Sequence, residues 1–346
     1  MQQAGSWPRW RTLSRPAARE RDDLRVDSET IVPRAREEST STARRHPTRG
    51  YALALTAAAM WALNGSLARY LLEDGVSALR LSQLRSAGSW VILLTVLLVM
   101  RRDLVRVERR QLPALALLGI AGLAAVHACY FLAIERLQIG VALTIQYLAP
   151  LVLLVWLRVV HARRLSGGLW GAVALSVAGC FLVVRAYEVD ALDALGLAAA
   201  FGSTVSFAIY LVGSERAGHR HEPVTTLLWA FGFASLFWAF VAPWWSFPFA
   251  AVSSPRDALL ALGVIVIGTL VPFTLMVSAL RHIPAPRAAV VSTLEPVLAA
   301  GFAYLLHGET LVPPQLVGGA AVLAAVVWVQ SRRGDLEAEL APARSR

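Results

Sequence analysis

Ten apolar runs follow one another between Tyr51 and Ser331, at 51–71, 78–100, 112–133, 139–158, 168–185, 194–213, 225–243, 257–279, 287–306 and 315–331. Each has about the length a helix needs to cross the hydrocarbon of a bilayer, roughly 20 residues at 1.5 Å of rise per residue. Water is absent there, so each segment must satisfy its own backbone polar groups, and runs of this length do so only as helices. The expected fold class is therefore all-α integral membrane, with ten transmembrane helices. Composition agrees: 56% of residues are hydrophobic, 16% are charged, and mean hydropathy is +0.55, far outside soluble averages.

The charges between the runs set an orientation. The net charge is +10, which in a soluble chain would suggest a nucleic-acid partner. Here the basic residues, all of them Arg, sit in short connections between apolar runs, so nucleic acid is not an expected partner. With the N-terminus inside, the cytosolic connections carry Arg101, Arg102, Arg106, Arg109 and Arg110, then Arg158, Arg163 and Arg164, then Arg216 and Arg220, then Arg281 and Arg287. The opposite connections carry Glu73 and Asp74, Glu135 with Arg136, the acidic cluster from Glu188 to Asp193, and Glu309. Positive charge inside places both termini in the cytosol. The run from Pro243 to Phe247, with Trp244 and Trp245, then falls at the outer face, where an aromatic belt is expected. Arg without Lys, with abundant Ala, Val, Gly and Pro, suggests a GC-rich genome, and the expected location is a bacterial plasma membrane.

Residues 1–49 are rich in Arg, Glu, Ser, Thr and Pro and lack an apolar core, which reads as a disordered basic N-terminal tail rather than a signal peptide or domain. A start codon assigned too far upstream would look the same. Residues 332–346 form a short cytosolic C-terminal tail.

An internal repeat organises what lies between. A shift of 146 residues lays Gly122 on Gly268, Ala133 on Ala279, Ala142 on Ala288, Leu148 on Leu294, Pro150 on Pro296, His161 on His307 and Leu165 on Leu311. The two repeats are expected at 50–186 and 187–331. Each holds five spans, an odd number, so the second must cross the membrane upside down relative to the first. Such two inverted five-helix repeats are the plan of secondary transporters, whose sites lie near mid-membrane between the halves.

Several residues break the apolar rule. Glu295 sits near the middle of the ninth run, and a carboxylate in hydrocarbon costs a few kcal/mol even on mild scales, so it is a functional candidate by default. Pro296 follows it and removes the amide that would bond the Ser292 carbonyl. Arg85 enters the second run from the outer end as Glu295 enters the ninth from the inner, and a contact between them would offset their desolvation. Arg85 could equally bind freed carbonyls. Pro150 and Pro272 likewise free the carbonyls of Gln146 and Gly268, and kinked helices lining a cavity present backbone to cargo. The first repeat has Ala149 where the second has Glu295, with Thr144, Gln146 and Tyr147 as its nearby polar residues, so any coupling chemistry is asymmetric.

The run TLEPVLAAGFAYLLHGETL, with Glu-Pro inside the helix and Gly-Glu at its exit, resembles the penultimate span of the EamA family of the drug/metabolite transporter superfamily. The resemblance extends over about residues 51–331 and includes Arg85, the Trp-containing opening MWALNGSLARY and the segment AIERLQIGVALTIQYLAP. It implies five plus five spans and export of amino acids or related small metabolites. The family's Gly-Glu pair is kept at Gly308 and Glu309, but Ala162 and Arg163 replace it in the first half.

Remaining candidates for substrate contact are Trp61 and Asn64, three apart on one helix face; His127 with Tyr130; and Tyr210, on a stripe with Ser203 and Ser206 that interhelical hydrogen bonding would also explain. Trp229 could line a cavity or face lipid. Cys129 and Cys180 fall inside apolar runs and read as small buried residues rather than a disulfide or metal site. No catalytic residue, metal site or cofactor is expected: no phosphate loop or paired-ligand spacing occurs, and His219 to His221 reads as solvated loop.

The expected function is a secondary carrier that exports small molecules by alternating access, with the lipid bilayer and a small-molecule cargo as partners and protons as the candidate coupling ion. Two other classes stand beside it. A membrane-embedded enzyme on lipid or isoprenoid substrates predicts an acidic or His cluster at one interface, and a non-transporting scaffold predicts Arg85 and Glu295 buried with no cavity beside them.

Overall fold

The computed structural model describes residues 46–137, 139–162, 165–188, 193–307 and 310–331, and among them there is helix and no strand. The first helix, α1 (Pro47–Glu73), opens on a proline, where its missing N–H costs nothing. It begins within the segment read as tail; residues 1–45 and 332–346 lie outside the described residues. The others are α2 (Ala78–Met100), α3 (Arg109–Ile134), α4 (Gly140–Val159), α5 (Gly167–Val183), α6 (Ala194–Gly218), α7 (Pro223–Val241), α8 (Pro255–Ala279), α9 (Ala285–Leu305) and α10 (Pro313–Ser331). Side chains stop several of them from fraying. Ser77, Ser166, Asp193 and Ser254 each accept a backbone N–H of the helix they precede.

Eight of these helices are long and apolar enough to cross a membrane: α2, α3, α4 and α6 to α10. The fifth apolar run yields a shorter helix of 17 residues, α5. Large aliphatic and aromatic side chains such as Val91, Val99, Phe240, Val317 and Val327 remain exposed on the outer surface, the face a helix bundle turns to lipid.

Four helices depart from α geometry in matched pairs. A π-helical segment interrupts α3 at Leu118–Ala124 and α8 at Val266–Leu270. The helical ladder of α4 breaks at Tyr147 and Leu148, and that of α9 at Thr293. Tyr147 and Thr293 are 146 positions apart, the register of the sequence repeat. Each break precedes a proline, Pro150 or Pro296, whose missing N–H lets the turn open.

Packing follows the same twofold pattern. Helix α1 lies against α8 and α9, while α6, the first helix of the second half, lies against α3 and α4. The second helices of the halves, α2 and α7, pack on each other, as do the fifth, α5 and α10. In the α5–α10 pair, a Cβ on Gly179 would stand 2.7 Å from the Gly318 carbonyl oxygen, and one on Gly318 would stand 2.6 Å from that of Gly179. Only glycine at both positions lets the backbones come this close.

The α2–α7 pair is tied at both ends. At one, Arg80 Nη1 donates to the carbonyls of Ala242 (2.9 Å) and Pro243 (3.1 Å), and Gln83 Nε2 donates to Ala242 (2.6 Å). At the other, Thr225 Oγ1 donates to the Leu104 carbonyl (2.8 Å) and Trp229 Nε1 to that of Val105 (3.0 Å). The Trp229 indole N–H thus clamps the connection after α2.

Candidate functional site

A cavity of about 430 Å³ opens where α1, α2, α3, α4, α6, α8 and α9 converge, a volume in the range of small-molecule sites. It runs from mid-helix to the end where α1 stops and α2 begins, reaching Leu72, Ala78 and Ile134. The opposite end is shut. Residues 285–292 of α9 are all fully buried, a Cβ on Gly50 of α1 would lie 2.8 Å from His282 Cβ, and the Glu215 carboxylate accepts the N–H of Ala285 at 3.0 Å. An ion pair between Arg281 and Glu222 (2.7 Å) fastens the same end.

Of the residues singled out in the sequence, Trp61, Asn64, Arg85, His127, Gln146, Tyr147, Tyr210 and Glu295 line this one cavity. Ser292 does not: it is fully buried, and its Oγ donates to the Ala288 carbonyl of its own helix at 3.0 Å. Pro150, Pro272 and Pro296 shape the walls without lining them.

Of the two readings of Arg85, the contact with Glu295 is not formed and the bond to a freed carbonyl is. Arg85 instead reaches the irregular turn of α8, where its Nε donates to Thr269 Oγ1 (2.7 Å) and its Nη2 to the Gly268 carbonyl (3.3 Å). That carbonyl is the one Pro272 leaves without a helical donor, so the cation settles on freed backbone. Thr269 passes its own proton to the Val264 carbonyl at 2.9 Å, five residues back, as π geometry allows. Glu295, on the same cavity, has Tyr147 beside it and lies within electrostatic reach of Arg85.

His127 is held by its own helix. Its Nδ1 stands 2.8 Å from the Leu123 carbonyl oxygen, which can only accept, so Nδ1 carries the proton and Nε2 is left as an acceptor. Ser203, from the polar stripe of α6, donates to the Val126 carbonyl of α3 at 3.1 Å, the interhelical role, whereas Tyr210 of that stripe turns to the cavity. Trp61 Nε1, Asn64 Oδ1, Gln146 Oε1 and Tyr210 Oη find no hydrogen-bond partner among the described residues. Buried polar atoms of this kind cost free energy unless water or a ligand meets them.

The other flank is aromatic. Phe273 meets Trp61, Tyr210 and Phe231 edge to face at centroid distances of 5.1, 5.3 and 5.7 Å, and Phe207 stacks on Tyr210 at 6.0 Å. Sequence reasoning missed Phe207 and Phe273, since one more Phe in an apolar run carries no signal of its own. The 146-residue register would have found them, because it lays Trp61 on Phe207, Asn64 on Tyr210, Arg85 on Phe231 and His127 on Phe273. The two repeats therefore supply equivalent positions of opposite character, polar from the first and aromatic from the second, with the acid reversed: Ala149 in the first, Glu295 in the second.

The close approaches obey that register too. A Cβ on Gly268 would lie 1.7 Å from Asn64 Oδ1, and one on Gly122 would lie 3.2 Å from the Tyr210 Cα. In each case a glycine in the π segment of one repeat receives the first helix of the other.

Among the described residues no group of three metal-ligating side chains occurs, and Cys129 and Cys180 are both free, the Cys180 thiol 3.5 Å from the Thr293 carbonyl oxygen. His219 to His221 belong to a polar cluster at the shut end with Asp103, Arg106 and Arg281. Arg163, Gly308 and Glu309 lie outside the described residues.

The model of the EamA-like transporter family matches residues 48–185 and again 194–330. The threonine/homoserine exporter RhtA of Escherichia coli (strain K12) is 29% identical over 228 residues, 64% of this chain and 72% of that protein. The uncharacterized inner membrane transporter YicL of Salmonella typhimurium is 25% identical over 287 residues, 81% of this chain and 95% of its own. A solved crystal structure superposes with a TM-score of 0.69 over 84% of this chain and 99% of that one, at 16% identity, a likeness of fold.

Proposed function

Because the chain belongs to the EamA-like transporter family, carrying two copies of its repeat, we propose that it is a secondary carrier exporting amino acids or related small metabolites across a bacterial plasma membrane. The observation that carries this reading is the cavity between the repeats, lined by Arg85 of the first and Glu295 of the second, open at one end and shut at the other. A scaffold has no need of such a space.

In this reading all ten helices span the bilayer as two inverted five-helix repeats, with both termini cytosolic. The shut end of the cavity lies beside the connections that carry Arg101, Arg102, Arg106, Arg220 and Arg281, so by the positive-inside rule it is the cytosolic end. The state described is then outward-open, the state from which an exporter releases cargo. Protons are the proposed coupling ion, with Glu295 as carrier: a carboxylate alternately exposed to two aqueous compartments can load on one side and unload on the other. The threonine/homoserine exporter among the relatives supports an amino-acid cargo.

Transport in reconstituted vesicles tests the reading, with labelled amino acids, with and without an imposed pH gradient, wild type beside Glu295→Gln. The wild type is expected to move at least one cargo against its gradient, and Glu295→Gln to keep its thermal stability and lose the pH-driven component. Undiminished pH-driven transport in Glu295→Gln would remove the acid from the mechanism. Vesicles that move nothing under any gradient would remove the carrier reading for these cargoes.

A further inference from the structure

From the placement of the two charges we infer that the cavity binds a zwitterion end-on, with Arg85 taking the carboxylate, Glu295 taking the ammonium, and the Trp61–Phe273 flank receiving the side chain. This rests on the carrier reading and adds to it which residues select the cargo and in what pose.

The argument starts from an unmet pairing. Opposite charges inside a bundle gain most by meeting, because the surrounding medium screens them poorly. Arg85 and Glu295 line one cavity and yet form no ion pair, although six others occur among the described residues. Each is held back by the structure. Arg85 lines the cavity and is anchored through Nε and Nη2 to Thr269 and Gly268 of α8, which holds the guanidinium and leaves Nη1 out of these two bonds. Glu295 is held on α9 at the helix break, with Tyr147 from the broken turn of α4 beside it. Two anchored, opposite charges separated by a cavity make a site for a molecule that carries both signs a short distance apart.

The roles follow from chemistry. A guanidinium edge presents paired N–H donors to a carboxylate. A carboxylate with a phenol beside it suits an ammonium, which has three protons and no lone pair. The unpartnered Gln146 Oε1 adds a further acceptor to the lining. The rest of the lining is mainly apolar, and its aromatic group around Phe273 offers a face where a small side chain can lie.

Blocked cargo tests the pose without disturbing the fold. The full-length protein in detergent is titrated calorimetrically with the standard amino acids, and the tightest binder is compared with its amide, which lacks the carboxylate charge, and its N-acetyl form, which lacks the ammonium. Both blocked forms are expected to bind about tenfold more weakly or worse. In Glu295→Gln the penalty for N-acetylation is expected to fall below about threefold while the penalty for the amide persists, a split that general unfolding would not produce. Blocked forms binding as well as the free amino acid overturn the proposal, as does the absence of any amino-acid binding. Vesicle transport separates the two failures: cargo that still moves leaves the carrier standing without this pose, and no movement removes both.

Discussion

At the scale of single residues, one junction carries much of the site's geometry. Gly268 receives the Asn64 amide from α1 and offers its carbonyl to Arg85 from α2, so three helices meet on one residue without a side chain. Gly268→Ala would put a methyl 1.7 Å from Asn64 Oδ1 and 2.4 Å from its Cγ, and overpacking of this kind costs about 1–3 kcal/mol. A lowered melting temperature in detergent and impaired transport are expected for Gly268→Ala. Adding Asn64→Ala should restore most of the stability, because it removes the atoms in the way; a double variant no more stable than Gly268→Ala would show that the strain lies elsewhere. Glu295 and Arg85 were legible in the sequence because a charge in an apolar run is costly and stands out. The choice of partner was not: the sequence offered Arg85 both the acid and a freed carbonyl such as that of Gly268, and only packing decides for the carbonyl and Thr269. Thr269 is itself silent there: hydroxyls are common in membrane helices, and its role depends on a π turn that no residue pattern announces.

At the scale of helices, the breaks in α4 and α9 place the acid. Each ends one short helix at mid-bundle, at Gln146 or Ser292, and starts another after one or two residues of turn. Pro150 and Pro296 make both breaks readable in advance, as the missing donor leaves a carbonyl four residues back free. The π segments were not readable to the same degree: Pro272 follows the one in α8, but the one in α3 has Val126 at the equivalent position. Packing of Tyr210 against Gly122 accompanies that turn instead of a proline. If the break in α9 serves transport rather than folding, Pro296→Ala should separate the two. The restored N–H can bond the Ser292 carbonyl and continue the helix, so thermal stability is expected to hold or rise while transport falls about tenfold or more. A variant that loses stability and transport together would instead make the break a packing requirement.

At the scale of the whole molecule, the repeat register turns one structure into a statement about a second. The helices pack as equivalent pairs, α1 on α8 with α6 on α3, yet the two halves are not in equivalent states. In the first repeat, Leu143 and Gln146 of α4 line the open cavity; their counterparts in α9, Ala289 and Ser292, are buried at the shut end. Two similar repeats held in different conformations can exchange them, and that exchange moves the opening to the other face. In the exchanged state Ala289 faces the cavity and Leu143 is sealed. A cysteine at each position in turn, in a background lacking Cys129 and Cys180, reads this out through its rate of alkylation by a small maleimide. In the state described, Leu143→Cys is expected to react at least about tenfold faster than Ala289→Cys. Conditions that drive turnover, cargo with a pH gradient, should slow the first and speed the second together, since one motion governs both. Rates that rise together would mean local loosening rather than exchange. The order of the helices and the near-identical positions of their breaks were legible from the 146-residue register; which half stands open was not, because the sequence is common to both states and only packing energies of a few kcal/mol choose between them.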